Sequence, residues 1–500
     1  MAQGQLKSRY DVLTKDRNVF LDRAREAAKL TLPSLIPPEG ANSSTEYETP
    51  WQSIGSRGVN NLASKILLAL FPPSSPFFRM GIDEPTLAAL GAKKSEAEKQ
   101  LAAFERVIMS DIEDSRTRAS LFQSAKHLIV AGNALLFNTP TGEVRMYPLS
   151  RYVTKRDAEG NTYEIIAVDN TVFGALSPAY QEAAIAAGVN KNRDDDVMVY
   201  TGIFRDSLNG QWTVHQEIEG VVVPGSNGTY PLDASPWIPL RMVAIDGESY
   251  GRGYVEEIYG DLNTLDALTQ AITEAAAAGA VVKFLVNPNG VTDIDDVTDT
   301  ENGGFCEGKA DDITVLQVGK FADLRVANET ITQIEARLSQ AFLLHSSVQR
   351  NAERVTAEEI RFMASELEDA LGGIYSVLAQ ELQLPMVKHR IVRLTKMKKL
   401  PPLPQGVKPA IITGLEALGR SQELQRLRMF IADAGQTFGP EAVVEYVSVG
   451  DYLTRSAAAL NIPTEGLVRP EEEVQARQKQ RAEQAAQLQA AASTATQGGQ

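Results

Sequence analysis

Apolar residues recur at helical spacing through the first stretches of the chain, at every second position in its middle, and at helical spacing again further on. In residues 5–32, Leu6, Tyr10, Leu13, Phe20 and Leu21 fall partly in register and Pro33 stops the run, which predicts one helix. Ile54, Leu62, Ile66, Leu67 and Leu70 predict a second, closed by Pro72 and Pro73 because proline cannot continue a helix. Residues 93–137 read as one or two more. The period then falls to two: the runs flanking the Asp157–Asn161 turn, "VMVYTGIFRD", "QWTVHQEIEGVVV" and "WIPLRMV" predict strands. Residues 50–250 therefore predict a mixed α+β domain.

Helical spacing returns in "YVEEIYGDLNTLDALTQAITEAAAAG", residues 254–279, where Val255, Ile258, Leu262, Leu265, Leu268 and Ile272 share a seam. This segment carries Glu256, Glu257, Asp261, Asp266 and Glu274 and neither Lys nor Arg, so it predicts an acidic helix. At the α-helical rise it would span roughly 39 Å. Residues 280–321 read as short strands around Asn-Gly and Gly-Gly turns. A further helix over 322–345 has Leu324, Ile331, Ile334, Leu338, Phe342 and Leu343 as its apolar side. Two long helices thus bracket a small β module.

A polar loop follows, 346–356, containing Gln349, Arg350, Asn351 and Arg354. Thr356 and Glu359 then form a T-x-x-E capping box that starts a helix near Ala357. Ile360, Met363, Ala364, Leu367, Leu371, Ile374, Leu378 and Leu382 stripe one side of it as far as Pro385, with Glu358, Arg361, Glu368 and Asp369 on the other. Gly372 and Gly373 interrupt that stripe at a cost of roughly 2 kcal/mol relative to alanine, so they predict a kink or a close backbone approach. Next, "VKHRIVRLTKMKKL" carries Lys388, Arg390, Arg393, Lys396, Lys398 and Lys399 with no acid. It reads first as a solvated basic strand or loop, and alternatively as a contact for phosphate or an acidic partner.

Composition fits a folded chain of several domains: 500 residues, 43% hydrophobic and 23% charged. The formal charge of −15 excludes a protein that grips nucleic acid over a broad basic surface, though not one that nucleic acid slides past. A single cysteine, Cys306, excludes an intramolecular disulfide framework, and the first twenty residues lack the apolar core of a signal peptide. Apolar runs stop short of the roughly 18 residues of a membrane span, so a cytoplasmic location is expected.

Catalytic signals are weak. Gly303, Gly308 and Lys309 have P-loop spacing, but Ala310 stands where a Ser or Thr hydroxyl would meet Mg²⁺. Asp293, Asp295, Asp296 and Asp299 lack the spacing of a calcium loop and read as a solvated turn. His127, His215, His345 and His389 are scattered without a metal-ligand pattern. Neither an enzymatic site, a metal site nor a cofactor is expected.

The order of α+β domain, long helix, β module, long helix, polar loop, interrupted helix and helical C-terminal part resembles the portal, or head-to-tail connector, proteins of tailed bacteriophages. Stretches similar to the short-tailed, podovirus-type branch are "PWQSIGSRGVNNLASKILLALFPPSSPFFRM", "SPWIPLRMVAIDGESYGRGYVEEIYGDL", "NPNGVT", "ERVTAEEIRFMASELEDALGGIYSVLAQELQLP" and "PAIITGLEALGR". The resemblance covers roughly residues 1–475 and implies an α+β, predominantly helical portal fold with wing, stem, clip and crown regions, assembling as a ring, usually of twelve subunits. It would divide the chain into N-terminal helices and wing (1–253), stem helix (254–279), clip (280–321), second stem helix (322–345), tunnel loop (346–356), kinked wing-spanning helix with the basic segment (357–406), crown (407–480) and a disordered tail (481–500).

The same resemblance implies a virion protein at one capsid vertex, present in the host cytoplasm during assembly. Double-stranded DNA would pass through its channel during packaging and later ejection. Its implied partners are further copies of itself, that DNA, the large terminase subunit, the major capsid and scaffolding proteins, a tail adaptor and internal core proteins. Gln349, Arg350, Asn351 and Arg354 would meet DNA, or the arginines would pair with neighbouring subunits. Glu256, Glu257, Asp261, Asp266 and Glu274 would repel phosphate from the stem. Asp293, Asp295 and Asp296, with Asp299, Asp311 and Asp312, would form an acidic rim for docking, or serve only solubility. Gly372 and Gly373 would redirect their helix. A capsid scaffold or adaptor without a DNA channel is the alternative.

Overall fold

A computed structural model describes residues 4–400 apart from 43, 73–76, 83–93, 190–191, 207–208, 281–282, 317–320 and 345–356; beyond 400 it describes 409–413, 420–439, 443, 445–459 and scattered positions from 467 to 484. Helix α1 (Leu6–Lys29) buries Leu6, Leu13, Leu21, Ala24 and Ala28, as its spacing requires. Its own N-cap side chain makes no capping bond. Instead Glu217, distant in sequence and fully buried, accepts hydrogen bonds from the amides of Gly4 (2.6 Å) and Leu6 (2.9 Å). Helix α2 (Ile54–Leu70) buries Val59, Leu62, Ala63, Ile66 and Ala69 and stops before Pro72.

Strand β1 (Phe78–Ile82) precedes α3 (Lys94–Asp114) and α4 (Thr117–Ala131). The helical reading of 93–137 holds only as far as Ala131. Gly132 leaves the helix at φ +71, where a Cβ would stand 2.2 Å from the Arg252 carbonyl carbon, and Asn133–Asn138 continue as β2. β2 pairs with β3 (Val144–Tyr147). A larger antiparallel sheet follows the predicted strands: β4 (Tyr152–Arg156), β5 (Thr162–Val172), then helix α5 (Pro178–Ala186), β6 (Asp196–Asp206), β7 (Gln211–Ile218), β8 (Val221–Val222) and β9 (Gly228–Pro231). β8 and β9 both pair with β7. Glu219 and Gly220, at φ +45 and +84, make the two-residue turn that joins β7 to β8. β10 (Trp237–Arg241) returns to pair with β2.

The acidic segment is not one helix. A turn at Tyr254–Glu257 breaks at Ile258, and α6 (Tyr259–Ala280) carries on. Beyond it lie β11 (Lys283–Val286), α7 (Ile294–Asp299), β12 (Ile313–Leu316), antiparallel to β11, and α8 (Phe321–Ala341), which packs back against α6. Near the base of this hairpin Arg337 Nη2 lies 2.8 Å from Asp261 Oδ1. Leu262, Leu265, Ile334, Leu338 and Phe342 root it in the main core together with α1, α2 and α4.

α9 (Ala357–Ala370) buries Met363, Ala364 and Leu367 on its predicted side. The chain breaks at Leu371–Gly373, restarts as α10 (Ile374–Leu378), widens into one π-helical stretch (Ala379–Gln383) and runs on as α11 (Leu384–Lys396). Pro385 was expected to end the helix. It sits instead in the first turn of α11, where its missing N–H is not needed. β13 (Pro409–Thr413), α12 (Arg420–Phe438) and α13 (Val449–Ala459) complete the described elements. β13, within the span assigned to a crown, pairs with β1, joining the two ends of the chain. Helices outweigh strands and the two segregate, the α+β arrangement that the sequence predicts. No helix among the described residues is long and apolar enough to cross a membrane.

Candidate functional site

The sequence-predicted residues fall into five places. Of the acids on the hairpin's outgoing arm, Asp261 is engaged by Arg337, Asp266 accepts from the Gln52 amide at 3.3 Å, and Glu274 accepts from Gln270 at 2.8 Å. Glu256 accepts from the Gly253 amide at 3.4 Å and closes the preceding turn, while Glu257 is exposed. No Lys or Arg lies on that arm, and Glu274 is the one acid of its outer half.

At the hairpin tip, Asp293 caps α7 by accepting from the Asp295 amide at 3.0 Å, and Asp295, Asp296 and Asp299 are exposed. Asp311 is 87% exposed. Asp312 departs from the predicted rim: its side chain turns inward and accepts from Val291 N (2.9 Å), Thr292 N (3.3 Å) and Thr292 Oγ1 (3.0 Å). These bonds to the charged form hold its carboxyl below the usual range against the opposing effect of burial. It is the knot of the module, and Gly290 gives it room, since a Cβ there would lie 2.5 Å from its carboxyl carbon. Around this knot Phe284 (64%), Val291 (84%) and Phe305 (102%) are exposed, far more apolar surface than a two-stranded module can cover for itself.

The basic segment was expected as a solvated strand or loop. It is helix α11, and its arginines point inward. Arg390 is fully buried, with Nη1 2.7 Å from Asp111 Oδ2 and Nη2 3.2 Å from Thr117 Oγ1. Arg393 binds the other oxygen of Asp111 and the Pro140 carbonyl. Burial pulls the Arg390 pKa down and Asp111 opposes that pull. Both arginines are thus internal staples between α11, α3 and the β2–β3 loop, not a surface for phosphate. Lys388 pairs with Asp233 at 3.5 Å.

Gly372 and Gly373 adopt φ +58 and +89, and a Cβ on either would meet nothing within 4 Å. They are there for the left-handed turn and not for a close approach. Gln349, Arg350, Asn351 and Arg354, the capping residue Thr356 and parts of the span 407–480 lie outside the described residues, as does 485–500. Sequence reasoning missed Lys65, Asp111, Glu217 and Glu368, each a buried or half-buried charge whose partner is distant or across a helix break. Among the described residues no group of three or more His, Cys, Asp or Glu could hold a metal ion.

A wide core, a long helical hairpin projecting from it and a small, apolar-surfaced β module at the tip define an architectural protein. The chain belongs to the family of bacteriophage head to tail connecting proteins, whose profile matches residues 3–468. It is 45% identical to the portal protein of Enterobacteria phage T3 over 96% of this chain and 90% of that one. It is 43% identical to the portal protein of Escherichia phage T7, over 97% and 92% respectively. A solved neck of an empty GTA particle aligns over 82% of this chain and 90% of its own at a TM-score of 0.37 and 11% identity, too loose a likeness to bear on the fold.

Proposed function

We propose that this chain is a portal subunit: copies of it form a ring, of twelve by family resemblance, at one vertex of a phage capsid, and double-stranded DNA enters and leaves through the central channel. The observation that carries this reading is the near full-length similarity to portal proteins, which spans the hairpin and its tip as well as the core. In this reading the two arms of the hairpin are the stem, residues 280–321 the clip, 346–356 the tunnel loop and 407–480 the crown. The exposed apolar residues of the clip are covered by neighbouring subunits. The acids of the outgoing arm, repeated around one axis, repel phosphate and keep the cargo mobile. Arg350 and Arg354 supply weak contacts that hold DNA without reading its sequence.

The clip acids Asp293, Asp295 and Asp296 face outward and dock the large terminase subunit during packaging and a tail adaptor afterwards. The major capsid and scaffolding proteins and internal core proteins are its further partners. Electron microscopy of the purified chain tests the assembly. Closed rings with a hole of roughly 20 Å or more, wide enough for a duplex, are expected. Compact monomers, or shells without a hole, would sink the portal reading in favour of a scaffold or adaptor.

A further inference from the structure

One face of α2 presents Gly58, Asn61 and Lys65, and all three grip the C-terminal end of α8. A Cβ on Gly58 would stand 2.3 Å from the Phe342 ring, so the glycine lets that ring lie on the α2 backbone. Asn61 Nδ2 donates to the carbonyls of Phe342 (3.0 Å) and Leu343 (3.1 Å). Lys65 Nζ donates to the Leu343 carbonyl at 3.0 Å and lies 3.3 Å from Glu366 Oε2 on α9. Tyr254 closes the set by donating to the Ala341 carbonyl at 3.0 Å.

Two features make this junction more than packing. Lys65 is only 5% exposed, and a buried ammonium is tolerated only while its partners stay in place. Two of its partners belong to different elements, the negative end of the α8 dipole and the carboxylate of α9. Leu343, moreover, holds φ +53, the position of a helix-ending motif that glycine ordinarily fills. Its amide donates to Gln340 O at 3.0 Å and that of Leu344 to Ser339 O at 2.8 Å. Such a left-handed residue costs about 1–2 kcal/mol and persists only where its surroundings over-determine it. Asn61 and Lys65 are part of those surroundings.

We propose that Lys65 is a positioning residue that couples the α6/α8 hairpin to α9, through an ammonium shared between the Leu343 carbonyl and the Glu366 carboxylate. A shift of the hairpin displaces Leu343, weakens one bond to the buried ammonium and draws Glu366 after it. The coupling belongs to the folded chain and holds whatever assembly the chain enters.

Hydrogen exchange on the full-length protein tests this, with Arg337→Gln as the perturbation because it breaks only the exposed bridge to Asp261 at the hairpin base. A surface pair of this kind changes local opening by about threefold. Exchange in α8 and in α9 should rise together in Arg337→Gln. Adding Glu366→Leu or Lys65→Met should keep the rise in α8 and remove the further rise in α9, whereas Lys65→Arg should preserve both. Glu366→Leu leaves Lys65 on its carbonyl, so it carries the test if Lys65→Met does not fold. An α9 that ignores Arg337→Gln, or that responds equally with Glu366→Leu in place, overturns the proposal.

Discussion

Glu368 caps the helix that follows its own. Its Oε2 accepts from the Ser376 amide at 3.0 Å and its Oε1 from the Ser376 hydroxyl at 2.6 Å, across the left-handed turn of Gly372 and Gly373. The N-cap of α10 is Gly373, which has no side chain to satisfy the first amides, and the carboxylate from the last turn of α9 takes that role. The break is therefore built from both sides. Glu368→Ala should destabilise the chain by about 1 kcal/mol, and Glu368→Gln by less, in denaturant titrations. Equal midpoints for wild type and Glu368→Ala would remove the cap from the account.

Gly372→Ala and Gly373→Ala meet no steric obstacle, so their cost is conformational alone, about 1–2 kcal/mol each. The double variant should favour a continuous helix and impair ring or capsid assembly. Rings that form and package DNA normally with both alanines would show that the break has no role in assembly.

Asp111 serves two arginines, one of them fully buried. Asp111→Ala should lower stability by about 3–5 kcal/mol, since it strands buried charge. Lys388→Ala, which leaves only the exposed Asp233 without its partner, should cost under about 1 kcal/mol. Chemical denaturation of the two variants side by side checks the contrast, and similar losses would mean that the Arg390 site is solvated.

Burial holds His127 and His389 to a pKa of about 4, against 6.5 ordinarily, helped by Lys126 for the first and by Arg390, Arg393 and Lys396 for the second. A depressed histidine takes up its proton in the unfolded chain first. The stability it contributes is complete above pH 6.5 and falls away as the pH drops towards 4, by up to roughly 3 kcal/mol for each ring. The thermal midpoint should fall between pH 7 and pH 5, and His127→Phe should flatten that slope. A profile flat from pH 7 to 5 in the wild type would contradict it.

Replacing Asp293, Asp295 and Asp296 by asparagine leaves Asp312 and its three bonds untouched. The ring should therefore survive while terminase or adaptor binding weakens and loses its salt dependence. Unchanged binding on an intact ring would end the docking role. Asp312→Ala, in contrast, should unfold the tip, which limited proteolysis would report.

Local pattern carried most of the elements. The stripe from Met363 to Leu382 is buried as read except at the half-buried Ile374, and the runs around Asp157–Asn161 became β4 and β5 because alternation and turn chemistry agree there. Pro385 misled because proline ends a helix or opens one, and only the preceding π-helical stretch shows which. The basic run misled for another reason. Charge says nothing of burial until a partner is found, and Asp111 lies far upstream. For the same reason Lys65 and Glu217 were invisible: a lone charge on an apolar helix or strand becomes legible only when the fold brings its partner.

β1 and β13 pair Phe78 with Thr413 and Ile82 with Pro409, so one small sheet needs residues from both ends of the folded span. A ribosome has to pass Thr413 before β1 finds its whole partner. Any product truncated upstream of residue 409 keeps β1 as a bare strand edge, a template for faulty pairing and a mark for degradation.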